Sequence, residues 1–84
     1  MLNEGRRKQY VEVLATHYID GTVRPQSIVF TAGDIFDIEE VKGKPCRVKD
    51  GISHEMAMQY TVVIHGKETQ LFEDGGRWFV RMKI

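Results

Sequence analysis

The feature that most constrains the fold is an alternation of apolar and polar residues that recurs along most of the chain. It is clearest at the end, where Trp78, Val80, Met82 and Ile84 fall on one side of an extended Arg77–Ile84 segment. Because successive side chains of a β-strand point to opposite faces, a period of two predicts a half-buried strand. The sequence therefore predicts an antiparallel sheet with one apolar face.

Turn signals separate the strand-like segments and set their order. Short Gly-containing stretches such as Asp20-Gly21, His65-Gly66 and Asp74-Gly75-Gly76 favour tight hairpins. Pro25, which has no N–H to donate, is expected to interrupt a strand, and 42–45 is expected to be a loop. Seven segments have strand-like patterns, and we expect five or six of them to form strands, with the short Cys46–Val48 the weakest. The segments are Tyr10–Ile19, Ser27–Thr31, Ile35–Val41, Cys46–Val48, a stretch from near Met56 to Ile64, Lys67–Glu73 and Arg77–Ile84.

One segment leaves two alternatives open. Residues 54–59 are good helix formers, but they run directly into the β-branched and aromatic stretch that begins at Tyr60. A helical turn of this length is marginal without packing, so we expect a strand from near Met56.

The expected architecture follows from the absence of long helical patterns. A small meander without helices to cover it hides its apolar face by curling on itself, which predicts an all-β, SH3-like or partly open barrel. A curved sheet that dimerises face to face is the alternative. At 84 residues the chain has room for one domain, and we expect a polar N-terminal lead-in over 1–9 and a single β-barrel domain over 10–84.

Composition limits the partners and the cellular compartment. Twelve basic and twelve acidic residues give a formal net charge of zero, which argues against a dedicated duplex-DNA binder. Cys46 is the only cysteine, so no intramolecular disulfide is expected. Residues 1–9 lack the apolar run of a signal peptide, and no stretch has the length of a membrane span. We expect a cytoplasmic protein with no membrane partner.

No complete catalytic or metal-binding constellation is visible, so we expect no metal site and no cofactor. A small enzyme is the least supported interpretation, and it would need oligomerisation to build a site between subunits. His65 and Glu68 flank a tight turn, but a closed metal site needs three or four ligands. Cys46 lies between basic residues without a base in an evident position. The carboxylates of Asp34, Asp37, Glu39 and Glu40 are expected to be solvated charges on a strand face.

The candidate functional surface is the polar face of the last strand. Arg77, Phe79, Arg81 and Lys83 share one parity, which places an aromatic ring among three cations. Small β-barrels bind single-stranded nucleic acid with such combinations, because bases stack on aromatic rings while cations follow phosphates. Residues 6–8 could extend this surface as a basic arm. The alternative is that Phe79 fills a second small cluster or a dimer contact, while Trp78 belongs to the core.

Two stretches resemble a family of short bacterial β proteins that has no assigned function. One is Tyr10–Val13 followed by Pro25–Phe30, and the other is Tyr60–Val80, with its Gly-Lys-Glu-Thr and Gly-Arg-Trp-Phe-Val runs. The segment 42–55 departs from the small-residue connection of that family. The resemblance implies a compact β fold, and it carries over no functional residues because the family has no agreed activity.

Together these observations predict a non-enzymatic β-barrel module that acts through a protein partner or through self-association. The alternative function is weak binding of single-stranded nucleic acid on the basic–aromatic last strand. Strand register, and with it the exposure of Phe79 and Tyr18, cannot be read from a single chain.

Overall fold

The computed structural model describes residues 6–30, 32–49 and 56–83, and shows seven strands in one antiparallel sheet. This confirms the all-β prediction and corrects the expected strand number from five or six to seven. The strands are β1 Arg6–His17, β2 Val23–Val29, β3 Ile35–Asp37, β4 Glu40–Lys49, β5 Met56–Ile64, β6 Lys67–Asp74 and β7 Arg77–Lys83. The described part of the chain contains no helix that is long and apolar enough to cross a membrane.

The order of the strands forces the sheet to curl. Neighbouring strands follow the order β3-β2-β1-β7-β6-β5-β4, so β3 and β4 lie at opposite ends of the sheet. Only Ile38 and Glu39 separate these two strands in sequence. The Ile38 N–H donates to the carbonyl of Gln26 in β2, and the Glu39 N–H donates to the carbonyl of Val63 in β5, both at 2.8 Å. The two ends are thus drawn together into a curled half-barrel.

This closure divides a segment that was predicted as one strand. The alternation from Ile35 to Val41 suggested a continuous strand, but β3 ends at Asp37 and β4 begins at Glu40. The chain breaks there because Ile38 is buried in the core while the two backbone hydrogen bonds lead to opposite ends of the sheet.

Strand β1 belongs to two parts of the sheet. Its first half pairs with β7, from Arg6↔Lys83 to Val11↔Trp78. Its second half pairs with β2, from Glu12↔Val29 to His17↔Val23. The predicted lead-in over 1–9 is therefore too long, because the strand begins at Arg6 through its pairing with β7. Residues 1–5 lie outside the described part of the chain.

Two predicted interruptions are irregularities within strands. Pro25 lies inside β2 and is buried, at a shift of register where Leu14 faces Ser27 and Ala15 faces Pro25. A bulge is one of the few places where a sheet accepts a residue that lacks an N–H. Residues 42–45, predicted as a loop, likewise lie within β4, where the register shifts between Lys42 and Cys46.

The core lies on the concave face of the curled sheet and draws on most of the strands. Its buried members alternate with polar residues, as the period of two predicts. They are Ile28, Ile38, Tyr60, Val62, Leu71 and Val80, with Val11, Val13, Phe30, Val41, Met58, Ile64 and Trp78 packed against them. Trp78 and Val80 are thus on the core side, as predicted.

The hairpin turns and the start of β5 agree with the sequence. β5 begins at Met56, while residues 50–55, including His54 and Glu55, lie outside the described part. His65 and Gly66 have φ of 53° and 76°, which is the left-handed backbone of a two-residue hairpin turn. The turn joins β5 to β6 with the register Ile64↔Lys67.

Candidate binding face

A row of three aromatic rings crosses β1, β7 and β6. Tyr10 is the partner of Phe79, and Phe79 is the partner of Phe72 in the register of these strands. The Phe79 ring stacks on Phe72 with centroids 5.1 Å apart and planes at 11°, and meets Tyr10 edge-on at 5.6 Å and 61°. Because Leu71 and Val80 belong to the core, alternation directs this row to the opposite face of the sheet.

Each ring of the row carries a cation on its face. The Nζ of Lys8 lies 4.9 Å from the Phe79 centroid, the guanidinium carbon of Arg77 lies 5.1 Å from Tyr10, and that of Arg81 lies 4.7 Å from Phe72. The negative π face of an aromatic ring attracts a cation within about 6 Å. We call this set, Lys8, Tyr10, Phe72, Arg77, Phe79 and Arg81, the cation–aromatic face.

Burial differs sharply along the row. Phe79 is 1% exposed and Phe72 is 6% exposed, whereas Tyr10 is 40% exposed. Phe79 lies on β7 between β1 and β6, so it has a ring on either side and the Lys8 side chain above it. Long cationic side chains cover apolar surface with their stems while the charged head stays in water. The two phenylalanines therefore form a second small apolar cluster.

The structure brings together three of the four predicted site residues. Arg77, Phe79 and Arg81 share one face, while the side chain of Lys83 lies outside the described part of the chain. Phe79, whose exposure the sequence leaves open, is buried by the neighbouring rings and by Lys8. Its placement in a second cluster matches the alternative derived from the sequence.

Three members of the face were not predicted from the sequence. Lys8 was assigned to a flexible basic arm, and Tyr10 and Phe72 were not singled out at all. A usable signal was present, since Phe72 and Phe79 are both apolar residues at the polar parity of their strands. Two such exceptions in adjacent strands of a hairpin indicate a cross-strand pair on the second face.

Polar groups border the face on both sides of the row. Arg77 also approaches Asp74, with 3.8 Å between Nη2 and Oδ2, which is a long ion pair between an exposed arginine and a half-buried aspartate. On the other side, the amide oxygen of Gln70 accepts hydrogen bonds from Gln59 at 2.6 Å and from Thr61 at 3.1 Å. The surroundings of the rings are thus polar and already hydrogen-bonded.

The remaining candidate groups are dispersed. His17 and His65 are exposed, and the ring of His65 meets Phe36 edge-on at 5.5 Å. The Cys46 thiol is free and exposed. Asp37 accepts a hydrogen bond from the Ser27 hydroxyl at 3.0 Å.

The described ranges contain no group of three or more His, Cys, Asp or Glu side chains that could hold a metal ion. His54 lies outside those ranges. Asp34, Asp37, Glu39 and Glu40 are all exposed, as expected for solvated charges.

No known protein family, curated protein or solved structure matches this chain. The resemblance to a bacterial family of unassigned function therefore stays a prediction.

Proposed function

We propose that this protein is a non-enzymatic binding module that recognises an acidic segment of a protein partner on its cation–aromatic face. The observation that carries the proposal is the capping of three adjacent rings by Lys8, Arg77 and Arg81. The three cation–ring contacts place three positive charges on one side of the sheet. A carboxylate that meets an arginine can form two parallel hydrogen bonds, which adds geometric specificity to the charge attraction.

Preorganisation is what distinguishes this face from ordinary surface charge. An exposed ion pair contributes little, because two long side chains lose rotamer freedom when they pair. Here the cations are already directed by ring contacts, so less freedom is lost on binding. Several such contacts, each of about 0.5–1 kcal/mol, add up to a weak, reversible and salt-sensitive interaction.

Burial of the rings favours a protein partner over single-stranded nucleic acid. Sequence-tolerant binding of single strands depends on bases stacking against open aromatic faces. Phe79 and Phe72 are covered, and Tyr10 shares its ring with Arg77. The formal net charge of zero also offers no general attraction for a polyanion.

Self-association through two copies of this face is disfavoured. A symmetric contact would set Lys8, Arg77 and Arg81 against the same three cations, and like charges placed together oppose association. Acidic segments of a different protein meet no such repulsion.

We further propose that the half-barrel is an SH3-like barrel. The support is β1, whose halves pair with different strands and so form a corner between two parts of a small curled sheet. Such bent strands let a short meander cover its own core.

The test is a fluorescence-anisotropy titration with a labelled peptide of alternating Glu and Ser, at low and moderate salt. The double variant Arg77→Gln/Arg81→Gln should weaken binding by about tenfold, since it removes two charge contacts of about 0.5–1 kcal/mol each. The matched control is Lys44→Gln/Arg47→Gln, which removes the same charge from exposed positions of β4. That control should bind as the parent protein does.

Two results would overturn the proposal. Equal weakening by both double variants would mean that the peptide responds only to overall charge. Tighter binding of a labelled oligothymidylate than of the peptide, lost in Arg77→Gln/Arg81→Gln, would assign the face to single-stranded nucleic acid instead.

A further inference from the structure

The second half of β1 has a strand neighbour on one side only. Pairing between β1 and β7 ends at Val11↔Trp78, because β7 begins at Arg77. From Glu12 to His17, β1 pairs with β2, and no described strand lies on its other side. At about 3.4 Å per residue, this edge is about 20 Å long.

A groove of about 700 Å³ follows this edge. Its lining includes the five consecutive residues 10–14, whose side chains alternate between the two faces of the sheet. A groove lined by consecutive residues of one strand follows the edge of that strand, and at its far end this groove extends over the inner face to His17 and Val23. Backbone N–H and C=O groups of alternate residues therefore point into it, and an extended chain can pair with them.

The inner wall of the groove is apolar and aromatic. Val11, Val13, Tyr60 and Trp78 line it, and they belong to the core or pack against it. The rings of Tyr60 and Trp78 lie 5.3 Å apart with planes at 45°. Every second side chain of an added strand would meet this wall.

The charged residues of the lining are Glu12, Glu73 and Arg77, and of these only Glu73 shares the strand face of Trp78 and Tyr60. Glu73 lines the groove and is the cross-strand partner of Trp78. Its Oε2 accepts a hydrogen bond from the Gly76 N–H at 2.7 Å, which fixes the carboxylate beside the β6–β7 turn. The pKa of Tyr60 is raised, by burial first and by the charge of Glu73 second, so the carboxylate lies within electrostatic reach of the phenol.

We propose that this groove binds an extended segment of a partner protein as an additional strand beside Glu12–His17. A Lys or Arg side chain of that segment packs on the partly buried Trp78, whose ring lies against the buried Tyr60, and meets the carboxylate of Glu73. Charge complementarity selects this occupant, because aromatic rings and a fixed carboxylate together favour a cation. The site adjoins the cation–aromatic face, with which it shares Tyr10 and Arg77, and it selects the opposite charge.

A second copy of the chain is a poorer occupant of the groove. Pairing with the same edge of another β1 would supply the segment Glu12–His17, which contains no Lys or Arg to meet Glu73. The chain beyond that segment would also run toward the β6–β7 turn, which closes the groove at Arg77.

The test uses the peptide acetyl-Val-Thr-Lys-Thr-Val-amide, whose Val and Lys side chains share one face when it is extended. Trp78 is the only tryptophan, so its fluorescence reports directly on the groove. We expect saturable binding, with amide NMR shifts along Glu12–His17. Replacing Lys by norleucine should weaken binding by about tenfold, as expected for the loss of a charge-assisted contact. N-methylation of alternate peptide nitrogens should abolish it, because the backbone pairing is lost.

Protein variants complete the design. Glu73→Gln keeps an oxygen for the Gly76 N–H but removes the charge. It should lower the affinity for the Lys peptide to that of the norleucine peptide. Glu40→Gln removes a charge from an exposed position of β4 and should leave binding unchanged.

Several results would overturn the inference. These are the absence of binding at millimolar peptide, indifference to N-methylation, indifference to Glu73→Gln, and amide shifts confined to the cation–aromatic face. A concentration-dependent dimer with amide shifts along Glu12–His17 would assign the edge to a second copy. None of these results affects the acidic-peptide experiment, so the two proposals can fail independently.

Discussion

Replacement of Phe79 measures how much the second apolar cluster contributes to stability. Its ring is 1% exposed and contacts Phe72, Tyr10 and Lys8. Truncation of a buried phenylalanine to alanine typically costs about 3–5 kcal/mol. We therefore expect Phe79→Ala to lower the free energy of unfolding by about 4 kcal/mol, a large share of the total of about 4–13 kcal/mol expected for a domain of this length.

Phe79→Leu separates burial from the specific contacts of the ring. Leucine keeps much of the apolar volume, but it loses two aromatic pairs that are worth about 0.5–1.5 kcal/mol each. The expected loss is about 1–3 kcal/mol, and each kcal/mol lowers the melting temperature by about 4–8 °C in a domain of this size. Urea unfolding followed by Trp78 fluorescence, with thermal melts by circular dichroism, measures both variants.

The control is Ile35→Ala, because Ile35 is also a large apolar residue but is 61% exposed. It should change stability by no more than about 0.5 kcal/mol. If Phe79→Ala has as small an effect as this control, Phe79 is not buried in solution and the cluster argument fails.

Two further predictions concern the β5–β6 hairpin and the core tyrosine. Gly66→Ala should lower the free energy of unfolding, measured in urea, by about 1–2 kcal/mol, because φ is 76° and a side chain is strained there. His65→Asn should not lower it, since Asn tolerates the left-handed region. Equal stability of Gly66→Ala and the parent protein would contradict this turn geometry. Burial, and next the charge of Glu73, raises the pKa of Tyr60 above 10.0, so the folded state keeps the phenolic proton where the unfolded state loses it. Stability should therefore fall as pH rises above about 10, and unfolding curves of Tyr60→Phe should show a smaller fall; the same pH dependence in both proteins would refute the assignment.

Local patterns in the sequence predicted the elements well where neighbouring residues decide the structure. The turn at His65-Gly66 follows from a residue pair suited to left-handed backbone, and the start of β5 at Met56 follows from continuity with the β-branched run. The parity of Trp78 and Val80 placed both on the core side. These features depend on contacts within a few residues.

Features that depend on distant pairing could not be predicted. Alternation assigns side chains to faces, but it does not say which strand lies next to which. The burial of Phe79 depends on β1 and β6 on either side of β7, and Tyr10 comes from the other end of the chain. The break at Ile38 similarly depends on hydrogen bonds to strands at opposite ends of the sheet, whereas the local pattern continues through it.

The two proposed surfaces share one structural cause, which is the point where β7 begins along β1. Up to Val11, β7 covers the edge of β1 and places Phe79 and Arg81 beside Tyr10 and Lys8, which assembles the cation–aromatic face. From Glu12 onward the same edge lacks a described neighbour, which opens the groove. Arg77 lies at the boundary, because its guanidinium packs over Tyr10 and it also lines the groove. The register between β1 and β7 thus separates a cationic face from an edge that carries a carboxylate. The formal net charge of zero is compatible with two surfaces that select partners of opposite charge.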